Sequence, residues 1–164
     1  MQNKRHNSGF SLIEVLIAIL LVGLAVASLM VANGALTMAN GVGTDLSTAE
    51  FLLGEIRELT VLLPVVDPES DDDTFGAEPD EASLADYDDL DDLDDAIFSP
   101  PISADRAVLT DSAAFSQQIT VENVSASNFE LVVNDHTSDF VRVTVSVLKN
   151  SRPISSASWL RARY

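Results

Sequence analysis

A chain of 164 residues with a formal net charge of −17, no cysteine and two histidines excludes several kinds of function at the outset. No disulfide framework can form, and a histidine-based metal or catalytic site has almost no raw material. The acidic balance opposes binding to nucleic acid or to an anionic membrane surface, and the length fits one ordinary domain plus a helix.

The first element is apolar. Lys4, Arg5 and His6 form a short basic flank, followed by Ser8-Gly9-Phe10-Ser11-Leu12-Ile13-Glu14-Val15, and from Leu16 to Ala32 there is no ionisable residue. Phe10 to Leu36 is long enough, as a helix, to cross the roughly 30 Å hydrocarbon core of a bilayer. The basic flank should stay cytoplasmic and send everything after the span outward. Glu14 lies inside the start of the span, where an unpaired carboxylate costs about 2–3 kcal/mol. A secretory signal is cut after its apolar region. Here the conspicuous junction, Gly9-Phe10, precedes that region.

This order of features resembles the class III signal of type IV pilins and of the pseudopilins of type II secretion. The resemblance rests on Gly9, Phe10, Ser11, Leu12, Ile13, Glu14 and Val15 and covers about the first third of the chain. It implies a leader, residues 1–9, removed by a prepilin peptidase, and methylation of the new N-terminal Phe10. It also implies that Glu14 faces the freed α-amino group of Phe10 in a neighbouring subunit, each charge being far less costly paired than alone. Loss of Lys4 and Arg5 with the leader moves the net charge to −19. A signal anchor with an isolated Glu is the plainer alternative.

Residues 10–63 read as one long helix, on the order of 80 Å at about 1.5 Å per residue. Residues 10–36 form the membrane or assembly half. Asn33-Gly34 and Asn40-Gly41-Val42-Gly43 weaken the middle, since an internal Gly costs about 1 kcal/mol relative to Ala. The glycines suit either local loosening or close helix contacts in the membrane. In the amphipathic half, 37–64, Leu46, Ala49, Leu53, Ile56 and Leu63 recur at helical spacing, widened by Leu52 and Leu59. Glu50, Arg57 and Glu58 take the other side. Pro64 stops the helix. Residues 49–57 also look like the corresponding helix of minor pilin subunits.

Residues 67–95 hold fifteen of the 26 acidic residues and no basic one. Within the segment 65–101 this density predicts a solvated loop from Val66 to about Ser83. Beyond it, Tyr87, Leu90, Leu93 and Ile97 are spaced to dock a short helix on the head. Asp86, Asp88 and Asp89 are calcium candidates through their oxygen donors, although Leu90 occupies a ligand position of the EF-hand pattern and no Gly follows. A solvated acidic face is the alternative.

Residues 102–164 alternate apolar and polar side chains. Strands are predicted at 115–124, 128–134, 140–148 and 154–164. Val141, Val143, Val145 and Val147 share one face, the signature of an antiparallel sheet covered on one side, for which the amphipathic half-helix is the obvious cover. Short connections predict a four-stranded meander. Trp159 reads as core or rim packing, and Arg161 and Arg163 as solvent or inter-subunit charges.

The fold class is therefore α+β and pilin-like, a long N-terminal helix on a C-terminal antiparallel sheet of about four strands. No phosphate loop, nucleophile or acid–base constellation is present, so no enzyme is expected. The functional expectation is a minor pilin or pseudopilin of a type IV pilus or type II secretion pseudopilus. It would sit in the bacterial inner membrane as a single-pass protein with an extracytoplasmic head, and assemble into a fibre with other pilin or pseudopilin subunits. The alternative is a membrane-anchored binding module whose acidic loop takes a cation or a partner protein. No cofactor is expected beyond calcium, and no nucleic acid.

Overall fold

The computed structural model describes residues 9–65, 75–78 and 81–163. The basic flank and the larger part of the loop expected to be solvated lie outside the described residues. Helix α1 spans Leu12–Leu62, and five strands follow: β1 (Ile97–Phe98), β2 (Phe115–Ser125), β3 (Asn128–Val132), β4 (Phe140–Lys149) and β5 (Arg152–Ala162). The chain divides into two compact units, Met1–Gly43 and Thr44–Tyr164.

In the first unit, every described residue is exposed. The helix continues through Asn33-Gly34 and Asn40–Gly43 without a break. Two of its polar side chains turn back onto the helix itself. Ser28 Oγ donates to the Leu24 carbonyl at 2.8 Å and Thr37 Oγ1 to that of Asn33 at 2.9 Å. Such internal bonds are what a helix in hydrocarbon needs, since lipid offers none.

The second unit is built around the alternation of β4. Val141, Val143, Val145 and Val147 are buried, whereas Arg142, Thr144 and Ser146 stay partly exposed. The helical stripe Ala49, Leu52, Leu53, Ile56, Leu59 and Leu63 joins the same core, as do Ile119, Val121, Leu90, Leu93 and Ile102. Leu46, first in the predicted stripe, is exposed. Gln117 occupies an inward position on β2 and is fully buried, yet its amide is fully used. Its Nε2 donates to the Leu52 and Ile102 carbonyls at 2.9 and 3.0 Å, and its Oε1 accepts from the Ile102 amide at 2.8 Å.

The sheet order is β1-β2-β4-β5, all antiparallel, with β3 paired to β2 off this path. The meander is thus corrected. Strand β3 folds back only on the end of β2, at Val124↔Val132 and Ser125↔Asn128. That leaves residues 115–123 of β2 to pair with β4 directly. The five residues of β3 are all exposed, so burial gives them no reason to enter the sheet centre. Strand β5 starts at Arg152 and includes Pro153, a residue tolerated because β5 is an edge strand.

Two further expectations change. Ile97 does not dock; it is 64% exposed on the two-residue strand β1, whose partner Phe98 packs against the core instead. Arg161 is neither a solvent charge nor free for another subunit. Its Nη1 donates to the Thr60 carbonyl and its Nη2 to that of Leu63 at 3.2 Å, so it caps the C-terminal turn of α1. Trp159 packs partly buried against the core with the Arg57 guanidinium 5.9 Å from its ring centroid, in keeping with rim packing.

Candidate functional site

The N-terminal candidates occupy the mouth of α1. Ser11 caps the helix: the Ile13 amide donates to its Oγ at 3.4 Å and the Val15 amide to its carbonyl at 3.2 Å. Glu14 then stands in the first turn, three residues after Ser11, where a carboxylate complements the positive end of the helix dipole. Among the described residues nothing bonds or pairs with that carboxylate. Phe10 is 82% exposed. A Cβ added to Gly9 would meet nothing within 4 Å, so the fold of this chain does not require glycine there. The helix is long and apolar enough to cross a membrane, with none of its apolar window buried.

The acidic segment is placed quite differently from a solvated face. Leu90 precedes and Leu93 ends a 3₁₀ turn, Asp91–Leu93, and both are fully buried. With about three residues per turn, two leucines three apart point the same way and draw the intervening aspartates down with them. Asp89, Asp91 and Asp92 are accordingly only 3, 4 and 3% exposed. Local amides satisfy part of their need. Asp89 Oδ1 accepts from the amides of Asp91 and Asp92 at 2.9 and 3.3 Å. Asp92 Oδ2 accepts from those of Asp88 and Asp89 at 2.8 and 3.0 Å.

The segment is strapped along β2. Asp94 Oδ1 accepts from the Val121 amide at 2.7 Å, and the Ala96 carbonyl from the Ile119 amide at 3.0 Å. Arg106 clamps it from outside, through the carbonyls of Leu84, Ala85 and Tyr87 at 2.7, 3.2 and 2.7 Å. Arg106 is therefore spent on backbone, not on carboxylates.

Electrostatics follow from that packing. Burial, then the neighbouring Asp91, pushes the Asp89 carboxyl up to about 8. Burial, then Glu81, pushes Asp92 up to about 7. Asp91 and Asp94 are raised by burial. Glu78 is raised to about 7, chiefly by its side-chain hydrogen bond with Glu81. Burial works against the Glu81 charge, but hydrogen bonds from Asp92, Glu78 and the Glu78 amide hold its carboxyl below the ordinary value.

Of the calcium candidates, Asp86 is exposed and its Oδ2 accepts from the Ser83 amide and hydroxyl at 3.0 and 2.8 Å. Asp88 is partly buried and Asp89 is buried. The oxygens that converge belong instead to Glu78, Glu81 and Asp92, which lie within 4.8 Å of one another. The sequence did carry a signal for Asp92, in the Leu90–Leu93 spacing. It carried none for Glu78 and Glu81, which come near it only through the fold of the loop.

A helix with an apolar window long enough to cross a membrane and an acid in its first turn, whose second half packs on an antiparallel sheet, gives an α+β, pilin-like layout. The prokaryotic N-terminal methylation motif matches residues 4–30, and this is the signature of the prepilin-type signal of type IV pilins and pseudopilins. The match stops at Met30 and includes Gly9, Phe10 and Glu14 but none of the head. No curated protein and no solved structure matches the chain.

Proposed function

We propose that the chain is a minor pilin or pseudopilin, held in the inner membrane by α1 with its head outside the cytoplasm. A prepilin peptidase cuts between Gly9 and Phe10, Phe10 is methylated, and the mature subunit joins others of its kind through the apolar helix. The observation that carries this reading is the methylation motif at residues 4–30, coincident with the Gly9-Phe10 junction. The helix supports it physically, because an uninterrupted apolar surface of this length must be covered by lipid or by other helices. In hydrocarbon Glu14 needs a cationic partner, and the α-amino group of a neighbouring Phe10 supplies one. The role is structural, with no reaction to catalyse.

Intact-mass measurement of membrane-extracted protein tests the processing step. The expected mass begins at Phe10 and carries one methyl group. A chain that retains residues 1–9 in cells with an active prepilin peptidase overturns the proposal. Gly9→Val should block cleavage without disturbing the fold, since a Cβ added there meets nothing within 4 Å.

A further inference from the structure

Strand β5 lies along the second half of α1, and successive contacts tie the two together. Ser155 Oγ donates to Glu50 Oε1 at 2.6 Å, the Arg57 guanidinium stands over the Trp159 ring, and Arg161 reaches the carbonyls of Thr60 and Leu63. Between the first two of these contacts the packing is interrupted. Gly54 and Ala157 carry too little side chain to close the gap, and both are exposed. They line a groove of about 210 Å³ that reaches from Glu50 to Arg57 and Trp159.

Three features of this groove call for an occupant. The first is a strand edge. β5 is the last strand of the sheet and pairs only with β4. Ala157, Ser158 and Trp159 all line the groove, although neighbouring side chains on a strand point to opposite faces. What the groove meets is therefore the edge of β5, and an open edge is a template for another strand. The second is the Trp159 indole, whose Nε1 is buried with no hydrogen-bond partner among the described residues. A buried donor left unpaired is rare and costly. The third is Arg57. Among the described residues its guanidinium makes no hydrogen bond or ion pair, and the indole face 5.9 Å away is what holds it. A carboxylate answers both donors at once. Glu50 does not reach them, because it stands two turns earlier on α1, about 10 Å away along the axis, and accepts from Ser155.

We infer that this groove takes an extended acidic segment of a partner chain, which adds to the edge of β5 and sets a carboxylate against Arg57 and Trp159. Main-chain bonds to the strand supply affinity, and the two donors select the acid. Three extended residues, at roughly 3.3 Å each, cover the distance from Glu50 to Arg57. Charge favours the same side of the head. Five of the nine basic residues of this acidic chain, Arg142, Lys149, Arg152, Arg161 and Arg163, lie on β4, on β5 or directly after it. The site falls wholly within the second unit, so it stands apart from leader cleavage and from the apolar half of α1.

Trp159 is the one tryptophan of the chain, so its fluorescence reports the site directly. The full chain in a non-ionic detergent is titrated with acetyl-Val-Thr-Glu-Val-Thr-amide, with the same peptide carrying Gln for Glu, and with sodium acetate. The expected result is a saturable change with the acidic peptide, at least tenfold weaker with the Gln peptide and absent with acetate at the same concentrations. Arg57→Gln should weaken the acidic peptide at least tenfold, and Gly54→Leu should abolish its binding by filling the groove. Both positions are exposed and a Cβ at Gly54 meets nothing within 4 Å, so both variants should fold, which thermal unfolding checks. Glu130→Gln, exposed on β3, should bind as wild type. Absence of a saturable response to the acidic peptide overturns the inference, as does wild-type binding by Gly54→Leu or Arg57→Gln. Equal responses to the two peptides, or to acetate and the acidic peptide, overturn it as well.

Discussion

Arg161 and Glu14 sit at opposite ends of α1 and act on its two poles. The Arg161 guanidinium occupies carbonyls that the helix leaves unpaired at its negative end, at Thr60 and Leu63. Arg161→Ala should therefore destabilise the head by about 1–2 kcal/mol, a fall in Tm of roughly 3–8 °C. Arg161→Lys should recover only part of this, because one ammonium cannot span two carbonyls as a planar fork does. A wild-type Tm for the Ala variant would show that the cap contributes nothing. At the positive end, Glu14 complements the helix dipole, and the proposed assembly gives its charge a second use, pairing with the α-amino group of a neighbour. Substitution by Gln tests the charge itself, since it keeps the shape and polarity but removes the charge. Glu14→Ala and Glu14→Gln should both insert and be cleaved, and both should lose crosslinking to other fibre subunits. Normal crosslinking of the Gln variant would sink the charge-register mechanism.

Between elements, one buried joint is polar and was not legible. The valine alternation of β4 and the stripe Ala49, Leu53, Ile56, Leu63 could be read in advance because each follows the period of its own element. Leu52→Ala should accordingly cost about 2–5 kcal/mol, as large-to-small changes in a packed core do. Gln117 breaks the alternation that predicts it, a polar residue on an inward position, and only the fold shows its three bonds to Leu52 and Ile102. Gln117→Leu makes the core more apolar yet should destabilise by about 1–3 kcal/mol, because the Ile102 amide loses its acceptor while buried. A neutral or stabilising effect in thermal unfolding would show that the Ile102 segment re-forms its bonds elsewhere. Strand β1 was illegible for another reason: two residues carry no period, and Ile97 looked like an anchor when its neighbour Phe98 takes that place. The order of the strands was missed because sequence adjacency is a weaker constraint than burial, and β3 has little to bury. The signal at Gly9, Phe10 and Glu14 was legible because it depends on chain order alone. The converging Glu78, Glu81 and Asp92 were not, because a run of acids normally stays in water and here two leucines carry part of it inside.

For the molecule as a whole, the net charge of −17 and the buried acids act on stability in the same direction but through different physics. In the unfolded chain Asp89 titrates near its ordinary 3.8, whereas in the folded head it is pushed up to about 8. Between those values the folded state holds a proton that the unfolded state has released. Stability rises with pH only where the unfolded state binds more protons, so here it must fall. The Asp89 contribution is complete below about pH 4 and gone above about 8; Asp92 and Glu78 lose theirs by about 7. Glu81, held below its ordinary 4.5, works in the opposite sense only on the acid side of that value. With chelator present, the Tm of the full chain in detergent should decline steadily from pH 5 to pH 8.5. General repulsion among surface acids would give a decline of the same sign. Salt tells them apart: at 1 M the screening length is about 3 Å, which quiets exposed charges and leaves buried ones almost untouched. The decline should therefore persist in 1 M NaCl, and Asp89→Asn should make it shallower, leaving the slope from Asp92 and Glu78. An Asn side chain keeps the acceptor for the Asp91 and Asp92 amides but has nothing to titrate. If high salt abolishes the pH dependence, or if Asp89→Asn leaves it unchanged, then surface repulsion and not the buried carboxylates governs how this head responds to pH.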